Sequence, residues 1–408
     1  MATAFRKWII VSFFNLLLVA ALGVLMRYKI AFYLPLVEQK FVLHSHSHFA
    51  FSGWITQTLM VLLVNYLGTI KGEKVFDKYR WLLFANLVTS YGMLFSFLLE
   101  GYAFFSISFS TLSIFVSYFF AVVFWKDLNG IGKKISHRWF KAGLVFSVIS
   151  SLGAFALAFM MANKIVHQNW YLASIYFFLH FQYNGWFLFA GMGLLATNFE
   201  KIQATAKLLR HAFHLFCFAV VPAYFLSVLW LHLPLFIYCI VIVAVIAQLA
   251  GWALWVKVFL KNKVIMQYMY TRFGRTLLLL SAIAFTIKLL LQSGSVVPSL
   301  SQLSYGFRPI IIGYLHLVLL GVTSIFIIGY IVALGLVPVN KKLLSGISIF
   351  VIGIIVNELL LMTQGVLALR YESIPFINES LLIAAAILFC GILIIFISCT
   401  GAGFYKKT

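Results

Sequence analysis

Twelve runs of mostly apolar residues follow one another along this chain, each near the length of about 20 residues that an α-helix needs to cross a bilayer. They lie near residues 8–28, 42–68, 81–102, 103–125, 139–162, 169–196, 209–231, 234–260, 275–293, 309–336, 342–367 and 380–400. The joining segments are short, and none can hold a folded domain. Residues 1–408 are therefore expected to form one transmembrane domain. Charged residues make up only 10% of the sequence and hydrophobic ones 63%, whereas a soluble domain carries roughly a quarter charged residues. Lipid must be the solvent, and the expected fold class is an all-α, polytopic membrane protein.

The basic residues set the orientation. Of 30 Lys and Arg, 23 fall on the side that holds the N-terminus if the runs alternate, six fall on the other (Arg27, Lys29, Lys40, Lys164, Arg308, Arg370), and Lys288 lies inside a run. The positive-inside rule puts both termini in the cytoplasm. The net charge of +21 encodes topology and implies no nucleic-acid partner. Met1 to Lys7 leads straight into a full-length run and does not resemble a cleaved signal peptide. The expected location is a cell membrane of the bacterial inner-membrane type. Cys217, Cys239, Cys390 and Cys399 sit in apolar runs without metal-ligand spacing and are expected to be inert. No internal repeat is evident.

Ionisable groups inside a span are costly and therefore candidates for function. Acidic residues at depth are almost absent, with Glu358 well inside and Glu100 at the outer end of the third run. That scarcity argues against a proton-coupled carrier built on carboxylates. Lys288 and Glu358 are expected to pair. Histidine dominates: His44, His46 and His48 open the second run, His180 sits midway along the sixth, His232 ends the seventh and His316 is early in the tenth. His137, His167, His211 and His214 read as loop or interfacial residues. His48 and His316 both lie roughly 10 Å below the outer boundary at about 1.5 Å per residue. Two such histidines can sandwich a haem iron; alternatively, each simply hydrogen-bonds a neighbouring helix. His44 and His48 share a helix face and His46 points elsewhere, so all three are candidates to partner His316, with His48 favoured by depth.

Twelve spans with histidines in the second, sixth, seventh and tenth resemble the catalytic subunit of the haem–copper oxidase superfamily, which includes nitric oxide reductases. Ile312-Gly313-Tyr314-Leu315-His316 with Gly321 resembles the tenth-span motif, and His180 with Asn184-Gly185-Trp186-Phe187 the sixth-span motif of the C-family oxidases. Thr363-Gln364-Gly365 with Arg370 resembles the end of the eleventh span, and Gly53 follows the histidine cluster as in the second. The resemblance implies a low-spin haem on His316 and a second-span histidine, with Arg370 at a propionate. It also implies copper or non-haem iron at His180 and His232, where Tyr183 or Tyr314 would have to assist. Three departures stand out. Tyr314 occupies the place of the high-spin haem ligand, a single histidine ends the seventh span, and Tyr183 follows His180 by three residues where some oxidases have a ligand-linked tyrosine at four.

The expected function is electron transfer, or redox chemistry on a small gas such as oxygen or nitric oxide, by a haem protein whose oxygen-reducing site is incomplete. An electron-donor subunit or cytochrome would be its partner. The alternatives are a non-catalytic haem or gas sensor, an assembly factor, or a transporter of small solutes or metals.

Overall fold

Long apolar runs uninterrupted by helix breakers form continuous helices, because in lipid every backbone polar group must bond within its own segment. The computed structural model describes residues 3–231, 233–297, 300 and 307–401. The helices are α1 (Thr3–Ala31), α2 (Gln39–Lys71), α3 (Val75–Glu100), α4 (Phe104–Asn129), α5 (Ile135–Ala162) and α6 (168–199). There follow α7 (Gln203–Val220), α8 (Leu235–Lys261), α9 (Arg272–Gly294), α10 (Arg308–Ala333), α11 (Lys341–Ala368) and α12 (Ile377–Thr400). No strand occurs among the described residues.

Ten of these helices are long and apolar enough to cross a membrane, among the described residues. An eleventh is α7 joined to the 3-10 turn Pro222–Val228, with a bend of 45° between them. Pro222 causes the bend, since it lacks an N–H and its ring clashes with the preceding turn. Helix α6 is not among the ten: His180, Gln182, Tyr183 and Asn184 interrupt its apolar run. The chain is an all-helical, multi-pass membrane protein.

Two compact units divide the chain. Unit 1 comprises residues 1–116, 270–281 and 308–408, and unit 2 comprises 117–269 and 282–307. Within unit 1, α12 packs against α1 and α11, α10 against α11, and α2 against α1 and α3. In unit 2, α5 packs along α6 and α7 along α8. The boundary expected between residues 102 and 103 falls at Gly101, whose φ of +65° ends α3 and whose position against Phe41 would put a Cβ 2.4 Å from that ring. Backbone conformation and contact both require glycine there.

Candidate functional site

Among the described residues three helices contain a π-helical segment, and in each the segment begins one or two residues after a histidine. It spans Ala50–Thr56 after His48 in α2, Phe181–Phe187 after His180 in α6, and Leu317–Ser324 after His316 in α10. A glycine follows the histidine by five residues in all three (Gly53, Gly185, Gly321). The recurring His-x4-Gly spacing is a repeat that composition and hydropathy hide. A π turn carries one extra residue per ring and leaves carbonyls open to lateral donors, which is why such turns cluster at functional sites.

Side chains from neighbouring helices take up those carbonyls. In α2, Asn15 of α1 donates to Gly53 O (2.6 Å) and Asn86 of α3 to Ser52 O (3.1 Å). Tyr91 in turn donates to Asn15 Oδ1 at 2.7 Å. In α10, Ser281 donates to Val322 O (2.8 Å), and Trp54 of α2 donates to Ser324 Oγ (2.9 Å).

In unit 1, His46 of α2 and His316 of α10 lie within electrostatic range of each other. The His46 Nδ1–H donates to Val19 O at 3.0 Å, and the His316 Nδ1–H to Ile312 O at 2.8 Å. Each ring is thereby fixed in the tautomer that leaves Nε2 with its lone pair. The two imidazoles lie within electrostatic range of each other and of Arg27, and Arg27 within range of Arg308. The spacing is regular on both helices. Val19, Gly23 and Arg27 form one stripe of α1, with Gly23 under the His46 ring (3.5 Å from an added Cβ to His46 Cε1). Arg308, Ile312 and His316 form the equivalent stripe of α10, at the same four-residue step.

His48 faces a different surface. Its ring stacks on Phe97 at 4.3 Å between centroids, and its Nε2 shares a hydrogen bond of 3.0 Å with the Tyr102 hydroxyl. His44 also meets Tyr102, at 4.6 Å between rings. Depth favours His48, whereas His46 is the histidine of the cluster within electrostatic range of His316. Tyr314 lies in α10 two residues before His316. Arg370 is exposed just beyond the end of α11, where its backbone N–H donates to Leu367 O at 2.9 Å. The nearby Gly365 seats α11 against Ile310 of α10, with an added Cβ 2.9 Å from Ile310 Cγ1. Arg27, which sequence reasoning counted only for topology, is the cation within range of both histidines, and Arg308 lies within range of Arg27.

Unit 2 holds His180, which is 1% exposed. The Tyr224 amide, past the Pro222 break, bonds to Val221 O (3.2 Å). That leaves Val220 O to accept from the His180 Nε2–H at 2.7 Å. The other ring nitrogen accepts from Asn184 Nδ2 at 3.1 Å. The Lys288 ammonium, 2% exposed, donates to Asn184 Oδ1 (2.6 Å) and to Gln292 Oε1. Lys288, Asn184, His180 and Val220 O thus form one directional chain in which every donor points the same way. Tyr183 is buried beside it, its ring 6.4 Å from that of His180. The expected Lys288–Glu358 pair is replaced: Lys288 is held by these amides, and the Glu358 carboxylate accepts from Asn357 at 3.2 Å. An amide oxygen suits a buried lysine here because the acids of unit 2, Asp127 and Glu200, both lie at helix ends. His232 lies outside the described residues.

No protein-family model matches the chain, and no curated protein sequence matches it significantly. Among solved structures, a heme-copper terminal oxidase determined as a dimer by cryo-electron microscopy superposes with a TM-score of 0.68. The alignment covers 100% of this chain and 85% of that one, at 11% sequence identity. Identity this low speaks to architecture alone, and the conclusion it supports is that this chain has the fold of a heme-copper terminal oxidase.

Proposed function

We propose that this protein is a haem-binding, oxidase-like electron-transfer protein of a cell membrane, with a single low-spin haem held between His46 and His316. One observation carries the reading. Each of these two imidazoles donates its Nδ1–H to a backbone carbonyl and presents Nε2, the outer-shell arrangement that orients metal-ligating histidine. The pair also lies on two helices of one unit, within electrostatic range of each other. The donor set fits a six-coordinate iron porphyrin, which when bound supplies reversible one-electron chemistry. Val19 O and Ile312 O hold the rings in the ligating tautomer. Arg27 puts a positive charge within range of both histidines and Arg308 lies within range of Arg27, so the two cations would serve the two propionates of a haem. They take the role that resemblance gave to Arg370.

In unit 2, His180 has both ring nitrogens engaged, and the Lys288 ammonium sits one residue further along the chain. Copper or non-haem iron on His180, His232 and Tyr183 would require breaking the bond to Val220 O or to Asn184. With Tyr314 in place of a second haem ligand, the reading is one haem per chain, an external electron donor, and no oxygen reduction at oxidase rates. Haem and metal analysis of purified protein, with oxygen uptake from artificial donors, tests this. One haem, negligible copper and uptake near background are expected; two haems with stoichiometric copper and cyanide-sensitive turnover would overturn it.

The transporter reading has one feature in its favour, the break in α7. The carbonyl freed there, however, is already taken by His180. A transporter purifies colourless and a haem protein red.

Twelve spans with both termini in the cytoplasm complete the proposal, with α6 and the bent α7 counted as spans. A reporter active only outside the cell is expected to work when fused after Arg370 and to fail after Lys134. The opposite pattern would reverse the orientation and put the histidine cluster on the cytoplasmic side.

A further inference from the structure

The haem reading uses one histidine of the His44–His46–His48 cluster and leaves two. Those two, at i and i+4 on α2, share a face. Both rings meet the same pair of residues. His44 lies 4.6 Å from the Tyr102 ring and 6.0 Å from Phe97, and His48 lies 4.3 Å from Phe97 and 6.0 Å from Tyr102. The Tyr102 oxygen stands 3.0 Å from His48 Nε2. Tyr102 is 40% exposed, in the turn between α3 and α4. Two imidazoles and a phenol therefore lie around one spot of unit 1, where α2 and the turn after α3 meet.

We propose that His44, His48 and Tyr102 form a second metal site, for a divalent first-row ion with copper preferred. The proposal rests on the haem reading in one respect: His48 must not be an axial ligand. Histidines four residues apart are how a helix offers two ligands to one ion. Imidazole suits copper and zinc, and copper stands highest in the affinity order for such donors. The hydrogen bond marks where the ion enters. The phenol oxygen and His48 Nε2 already lie together, so an ion that displaces the shared proton finds both donors; binding releases that proton to water. Water completes the coordination. Phe97 walls the site on one side. Lys40, one turn before His44, weakens the site by its like charge.

The full chain, purified with a tag that contains no histidine, would be titrated with Cu2+ against a competing chelator. Paramagnetic resonance would then count the coordinated nitrogens. One Cu2+ per chain with two imidazole nitrogens is expected, and affinity falls about ten-fold or more in His44→Ala and in His48→Ala. Tyr102→Phe weakens binding less. His44→Asn, which keeps size and polarity, must also lose copper, and this guards against a folding defect. Haem spectra of the same samples should not change. Wild-type copper affinity in the His44→Ala/His48→Ala double variant would overturn the site and leave the haem reading standing. Loss of the haem bands in His48→Ala, with retention in His46→Ala, would overturn the ligand assignment and this site with it.

Discussion

His316→Ala and His46→Ala are each expected to abolish the sharp reduced-state bands of a six-coordinate haem, while His44→Ala and His48→Ala keep them. The expectation follows from ring direction. His46 and His48 are two residues apart, which on an α-helix is about 3 Å in depth but about 200° in azimuth. His46 is turned toward Val19 and Gly23 of α1 and lies within electrostatic range of His316. His48 is turned to Phe97 and Tyr102. On the proposed site, an alanine at 46 or 316 removes one axial ligand, and His44 and His48 are engaged with Phe97 and Tyr102 instead. Arg27→Gln provides a graded check. Removing a positive charge beside the iron favours the ferric state, so the midpoint potential should fall while the band shape stays. An unchanged spectrum in His316→Ala would remove the assignment.

The largest stability effect is expected at Asn184. Its amide accepts from Lys288 and donates to His180, so Asn184→Leu strips a buried ammonium of one acceptor and a buried imidazole of its only donor. A hydrogen bond to a charged group contributes about 1.5–3 kcal/mol, and an orphaned buried acceptor costs about 1–3 kcal/mol. Together they predict a loss on the order of 3–5 kcal/mol, read as a lower midpoint of thermal unfolding in detergent. Lys288→Met in the same background should recover part of the loss, because it removes the uncompensated charge. If Asn184→Leu unfolds like wild type, the chain from Lys288 to Val220 O is not a structural element.

Much of the fold was legible because lipid imposes a simple rule. Long apolar runs must be helices, and their ends follow from Gly101, from charge and from Pro222. The histidines were legible as candidates for the same reason, since polar groups at depth are rare. What sequence reasoning missed depended on azimuth and on partners. Depth arithmetic preferred His48, and the case for His46 in the proposed site rests on side-chain partners that depth does not carry. Arg27 and Arg308 looked like topology signals until Val19, Gly23, Ile312 and His316 fell on their stripes. The π turns arise from one extra residue in a ring, which hydropathy cannot register, although the repeated His-x4-Gly spacing was there to be counted. Lys288 and Glu358 were matched by charge, yet amides satisfied both.

The reduced-minus-oxidised difference spectrum of the purified wild-type protein tests the central claim most directly. The account predicts a red preparation with the narrow bands of a low-spin, bis-histidine haem that does not bind carbon monoxide, since both axial positions are filled. A colourless preparation, or one whose haem is five-coordinate and binds carbon monoxide fully, would contradict it.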